Sequence, residues 1–157
     1  MKKTILTALL ILVSMTALTA CSGGSSKKIS VDTAKLAEEL NSGCVTSDSL
    51  TAVSGEMLPT IYFVDAGNIA SASAYMSSGA TACEVCVIQC NEDKQTEDVK
   101  KQFETRVESQ SNLYASYNAG EVEKLKKALI KTAGPYAVLC VCDDSSKAEE
   151  ILSGYGF

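Results

Sequence analysis

Seven cysteines are the residues of this 157-residue chain most able to do chemistry. Cys83, Cys86 and Cys90 form a Cys-x-x-Cys-x-x-x-Cys run, Cys140 and Cys142 a Cys-x-Cys, and Cys44 and Cys21 stand apart. Such spacings invite a metal-knuckle or dithiol reading. The surroundings oppose it. Metal knuckles and redox dithiols place Cys-x-x-Cys on a turn or a helix start, whereas Cys83 to Cys90 (CEVCVIQC) is apolar and β-branched on both parities, the pattern of a strand covered on both faces. Residues i and i+3 of a strand point to opposite sides, so Cys83 and Cys86 diverge. Cys86 and Cys90 share one face, Cys140 and Cys142 share a face of their own strand, and two adjacent strands could cluster those four sulfurs. Three readings of the six cysteines beyond Cys21 follow. They are small buried hydrophobes filling core positions, or members of one or two disulfides whose connectivity spacing cannot choose, or a metal or redox site. The first is carried forward, with no metal ligand, catalytic residue or cofactor assigned.

Other groups offer less. With no histidine in the sequence, Ser/His/Asp and Cys/His nucleophilic catalysis, His-ligated zinc and a histidine pH switch are excluded. Asp143-Asp144 and Glu149-Glu150 are adjacent carboxylates, but a general acid/base pair is defined by distance across a cleft, so helix capping and solvation are expected of them. Tyr75, Tyr114 and Tyr117 would furnish a carboxylate-and-tyrosine site if the fold brought them to one cleft. The small-residue turn of Tyr75 to Thr81 (YMSSGAT) could cradle an anion on its amides but lacks the spacing of a phosphate loop; it is expected to be a strand connection. The 14 basic and 19 acidic residues give a net charge of −5, the wrong sign for tracking phosphates, and nucleic acid is not expected as a partner.

The first 20 residues address the chain. Lys2 and Lys3 precede an uncharged, mostly apolar stretch, Thr4 to Ala20, which matches a secretory signal peptide and is short for a membrane span. Leu18-Thr19-Ala20-Cys21 resembles the bacterial lipobox, which implies cleavage before Cys21 and a lipid on its sulfur. Two or more acyl chains hold a protein stably on a bilayer where one is marginal. The expectation is therefore a lipoprotein signal peptide over 1–20, lipidation at Cys21, and a lipid-anchored protein on the extracytoplasmic face of the cell membrane. Loss of Lys2 and Lys3 leaves 12 basic residues against 19 acidic, a charge of −7. Residues 21–28 (CSGGSSKK) form a Gly/Ser-rich tether, spanning roughly 15 Å.

The elements that must position these groups occupy 29–157. Thr33, Leu36, Ala37 and Leu40 stripe a helix over about 31–42, capped by Ser30 and ended by Gly43. Residues 44–56 have no clear period. Met57 to Val64 is apolar but interrupted by Pro59, an edge or loop segment. A short helix capped by Asp65 and running to Ala72 precedes an extended 73–78 and the strand 83–90. Asn91 caps the main packing helix to about Gln110, with Val99, Phe103 and Val107 at i, i+4, i+8. A turn-rich 112–120 leads to a helix striped by Val122, Leu125 and Leu129. Leu129 to Ala133 and Tyr136 to Cys142 flank Gly134-Pro135, the type II′ hairpin pattern, and Asp144 or Ser145 caps a last helix. The order predicts an α+β fold, a small single domain with a mainly antiparallel sheet of about four strands packed against helices.

The tract Ala74 to Ile88 (AYMSSGATACEVCVI), the helical Val107-Glu108-Ser109-Gln110, and Gly134 to Leu139 (GPYAVL) followed by Asp143-Asp144 resemble the domain-of-unknown-function 4358 family. The resemblance covers about 31–153 and implies a lipoprotein of the kind found mostly in Gram-positive anaerobes. It departs at the cysteines, where apolar or small residues are usual, in keeping with their role as core filler. The family supplies no activity, cofactor or catalytic residue. The function expected is a non-catalytic binding or accessory domain, held to the membrane through Cys21 and engaging an unknown protein or small molecule. An extracytoplasmic enzyme built from carboxylates and tyrosines, or a thiol redox or metal protein, are the alternatives.

Overall fold

A computed structural model describes residues 29–157; the expected signal peptide 1–20, the expected lipidation at Cys21 and the expected tether 21–28 lie outside the described residues. Among the described residues the order is α1 (Thr33–Cys44), β1 (Thr51–Ala52), α2 (Leu58–Tyr62), β2 (Ile69–Met76), β3 (Glu84–Cys90), α3 (Thr96–Ala115), α4 (Ala119–Leu125), β4 (Leu129–Ala133), β5 (Tyr136–Val141) and α5 (Ser145–Tyr155). The strands form one antiparallel sheet in the order β1-β2-β3-β5-β4. The α+β expectation holds, with β1 as a fifth, two-residue strand inside the stretch that showed no period. No helix among the described residues is long and apolar enough to cross a membrane.

The sheet is covered on both sides. On the first face α1 and α5 place Leu36, Ala37, Leu40, Ala148 and Leu152 against Val85, Val87 and Val138. On the second, α2, α3 and α4 place Leu58, Tyr62, Val99, Phe103 and Leu125 against Ile88, Ala137 and Leu139. This is why β3 and β5 are apolar at every parity, and why Phe103, edge-on to Tyr62 at 5.4 Å, is fully buried.

Several boundaries shift for identifiable reasons. Asp32, not Ser30, caps α1, its carboxylate accepting from the amides of Ala34 and Lys35 at 3.0 and 3.1 Å. Gly43 does not end that helix; a Cβ there would stand 3.2 Å from Ile151 Cδ1, so it serves the close approach of α5. Pro59 does not break a strand. It occupies the first turn of α2, where its missing amide costs nothing. Asp65 caps only a single 3₁₀ turn, Ala66–Asn68, before β2 begins at Ile69. Glu92 and Gln95 form a capping box on the turn leading into α3, displacing the expected Asn91 cap, and α3 runs on to Ala115 through what looked like loop. The β4–β5 hairpin is as expected, with Gly134 at φ +53°.

Candidate functional site

Antiparallel pairing of β3 with β5 sets Glu84 opposite Val141, so Cys83, just before β3, and Asp143, just after β5, come to the same end of the sheet. The end of α1 and the last turn of α4 complete that end. Asp143 accepts the amides of Thr46 and Ser47 on Oδ2 at 2.7 and 2.9 Å and the Ser47 hydroxyl on Oδ1 at 2.8 Å. Lys124 Nζ reaches Asp143 Oδ1 at 2.9 Å and Glu121 Oε2 at 3.1 Å. It also lies 3.1 Å from Ser47 Oγ and 3.2 Å from Cys83 Sγ. Glu121 Oε2 in turn accepts the Ala82 amide at 2.7 Å.

By residue type this is a Cys-Lys or Ser-Lys nucleophile with carboxylate support. Its protonation argues otherwise. A lysine acts as base only as a neutral amine, and although burial pulls Lys124 down, its bonds to Asp143, Cys83 and Glu121 outweigh that and hold it well above an ordinary lysine. Asp143 is held well below the usual carboxylate range, since burial is outweighed by Lys124 and by the Thr46 and Ser47 donors. Four acceptors share three ammonium protons, and the Cys83 sulfur beside them is buried. The cluster is an ionic knot tying the 45–49 loop and α4 to the ends of β3 and β5.

Asp48 belongs to the neighbouring turn. It accepts the Ser77 and Thr81 hydroxyls at 2.5 and 2.8 Å, and these hold its carboxyl below its usual value. Ser77 Oγ takes the amides of Gly79 and Thr81 at 3.1 Å each, so the amides that could have cradled an anion are used within the turn. The Tyr114 hydroxyl bonds the Thr81 carbonyl.

A second buried ion pair faces α3. Glu84 Oε1 and Arg106 Nε are 2.5 Å apart, and the guanidinium sits 5.1 Å from the centre of the Tyr62 ring. The Tyr62 hydroxyl lies near Glu84 and Cys86 but meets neither at hydrogen-bonding geometry.

The structure separates most of the residues singled out in the sequence. Cys86 and Cys90 pack on the second face and Cys140 and Cys142 on the first, so those four sulfurs do not converge. On the first face Cys140 and Cys142 are joined by Cys44 and Cys83, and all six are free thiols. No group of three or more Cys, Asp or Glu among the described residues is arranged to hold a metal. Tyr75 packs against the first-face core, Tyr114 is buried in the second and Tyr117 is exposed beside it, ring centres 4.9 Å apart; they do not meet in one cleft. Asp144 caps α5 through the Lys147 amide at 2.9 Å, and Glu149 and Glu150 pair with Lys131 and Lys147, as capping and solvation require. Asp143 is the correction: it is a member of the knot, not a solvated cap. Lys124, Glu121, Ser47, Glu84 and Arg106 went unseen in the sequence.

No curated protein and no solved structure matches the chain. Residues 44–142, which carry the Glu84–Arg106 pair and, Asp143 excepted, the Lys124 knot, match a family model, and the chain belongs to that family, described as a domain of unknown function (DUF4358).

Proposed function

We propose that the protein is a lipoprotein held on the extracytoplasmic face of the cell membrane by a lipid on Cys21, and that its domain is a non-catalytic binding or accessory module for a protein or small molecule. One observation carries the non-catalytic part: the best-furnished polar cluster commits its amine to two carboxylates, Asp143 at 2.9 Å and Glu121 at 3.1 Å, which leaves it a clamp without a base. The anchor rests on Lys2-Lys3, the apolar 4–20 and Leu18-Thr19-Ala20-Cys21. A net charge of −5 over the full chain keeps nucleic acid outside the set of partners.

The anchor is tested by growing cells that express the full chain with a fatty-acid analogue. Wild type takes up label, and Cys21→Ser takes up none and retains residues 1–20; a labelled Cys21→Ser protein defeats the assignment. The binding role is tested by isolating the full chain from mild-detergent extracts. A defined companion recovered with wild type and absent from a control lipoprotein supports it, and repeated recovery of the protein alone counts against it.

A further inference from the structure

Cys44 is the last residue of α1 and Cys142 the first after β5. The Cys44 carbonyl accepts both the Asp143 amide at 3.1 Å and the Asp144 amide at 3.2 Å, a forked bond that lays the two backbones side by side immediately beyond Cys142. Both side chains are buried in the first-face core with that of Cys140. We propose that Cys44 and Cys142 are a disulfide-forming pair, closed by thiol–disulfide exchange with an external disulfide and stapling the end of α1 to the end of β5.

Backbone placement favours this pair among the four first-face cysteines. Cys140 and Cys142 are two apart on extended backbone, so their side chains run parallel about 6.6 Å apart, beyond the roughly 3.5–4.5 Å that a disulfide allows between Cβ atoms. Cys83 is held by Lys124 at 3.2 Å. Cys44 comes from another element, and its carbonyl meets the chain at the two residues directly after Cys142.

The exchange balances. The Cys142 thiolate attacks one sulfur of the incoming disulfide, forming a mixed disulfide and expelling one thiolate. Cys44 then gives up its proton and attacks the Cys142 sulfur, expelling the second. Two protein thiols are oxidised by two electrons, the external disulfide is reduced to two thiols, and the protons leave on those. Both sulfurs are buried in the folded domain, so the bond closes as the chain folds, and the same balance holds with the order of the two attacks reversed.

The test uses the full-length chain in detergent, unfolded and refolded in a mixture of oxidised and reduced glutathione, quenched with acid, alkylated in denaturant and mapped by mass spectrometry. The expected product has two fewer alkylated cysteines than a dithiothreitol-treated control, with a link that fragment spectra assign to Cys44 and Cys142. Its melting midpoint drops on reduction, and this drop is absent in Cys44→Ser and Cys142→Ser but kept in Cys86→Ser. Full alkylation of both samples, glutathione left on Cys142, or a link within any other pair overturns the proposal. The wild-type map decides even where a variant fails to fold, and its outcome is independent of the anchor on Cys21.

Discussion

Lys124 Nζ lies 2.9 Å from Asp143 Oδ1 while the other oxygen of that carboxylate takes the amides of Thr46 and Ser47, so one carboxylate joins three segments distant in sequence. Each of the two charged side chains is mostly covered, at 13% and 20% exposure. A pair this covered gains more from its partners than a surface pair does, and removing one partner strands the other.

Lys124→Met should therefore destabilise the domain by about 3 kcal/mol, the lower end of the range for breaking a buried pair because some water reaches it. The pH profile should change at both ends. Asp143 is depressed in the folded chain, so its contribution is complete above the ordinary carboxyl value of 3.8 and is lost as pH falls through the lower folded value. Lys124 is raised, so its contribution is complete below 10.5 and is lost as pH climbs toward the folded value. Urea unfolding followed by circular dichroism across pH should show a plateau with two falling limbs for wild type, and a lower, flatter curve for the variant. Equal stability of the two proteins at neutral pH would show that the knot is not a clamp.

The Glu84–Arg106 pair supplies a second test on the opposite face. Arg106→Met leaves Glu84 charged and buried beneath α3, and should cost roughly 3–5 kcal/mol. Adding Glu84→Gln removes the stranded charge, so the double variant should recover part of the loss, a coupling that a double-mutant cycle reads directly. If the double variant is weaker than Arg106→Met by the full cost of Glu84→Gln alone, the two side chains act independently.

How far the sequence speaks differs by element. β3 and β5 were legible because burial on both faces leaves an apolar residue at every parity, and α3 because Val99 and Phe103 repeat at helical spacing. β1 was not, since two residues carry no period, and α2 was hidden because a proline suits a strand edge as well as a helix's first turn. The knot was hidden for a different reason. Ser47, Cys83, Lys124 and Asp143 are ordinary residues in four segments, and only the pairing of Glu84 with Val141 makes neighbours of the two that flank it. An antiparallel β3–β5 pairing assumed in advance would have placed Cys83 and Asp143 together; nothing in the spacing would have added Lys124.

Cys86 separates the filler role from a chemical one. It is fully buried opposite Ala74 and Leu139 in the sheet register, and burial pushes its thiol far above the ordinary value, so it behaves as a small apolar group. Cys86→Ala should cost about 1–2 kcal/mol for the volume lost and Cys86→Val no more. Cys86→Ser should be the worst of the three, because its hydroxyl must find a partner where a thiol need not. A serine variant as stable as the valine one would mean that the site is wetter than its burial implies.

Tyr62 offers the sharpest prediction, because its ring and its hydroxyl pull in opposite directions. The ring stands edge-on to Phe103 at 5.4 Å and under the Arg106 guanidinium at 5.1 Å, contacts that phenylalanine reproduces. The hydroxyl is buried without a hydrogen-bond partner, and an unsatisfied buried polar group costs about 1–3 kcal/mol. Tyr62→Phe removes that penalty and leaves a void of a single oxygen, so the variant should be as stable as wild type or up to about 1 kcal/mol more stable. Tyr62→Ala, which removes the ring as well, should lose roughly 3–5 kcal/mol. Chemical denaturation of the two variants beside wild type reads both numbers. A clear loss for Tyr62→Phe would mean that the hydroxyl bonds the nearby Glu84 carboxylate in solution, and Glu84→Gln should then erase the difference between tyrosine and phenylalanine.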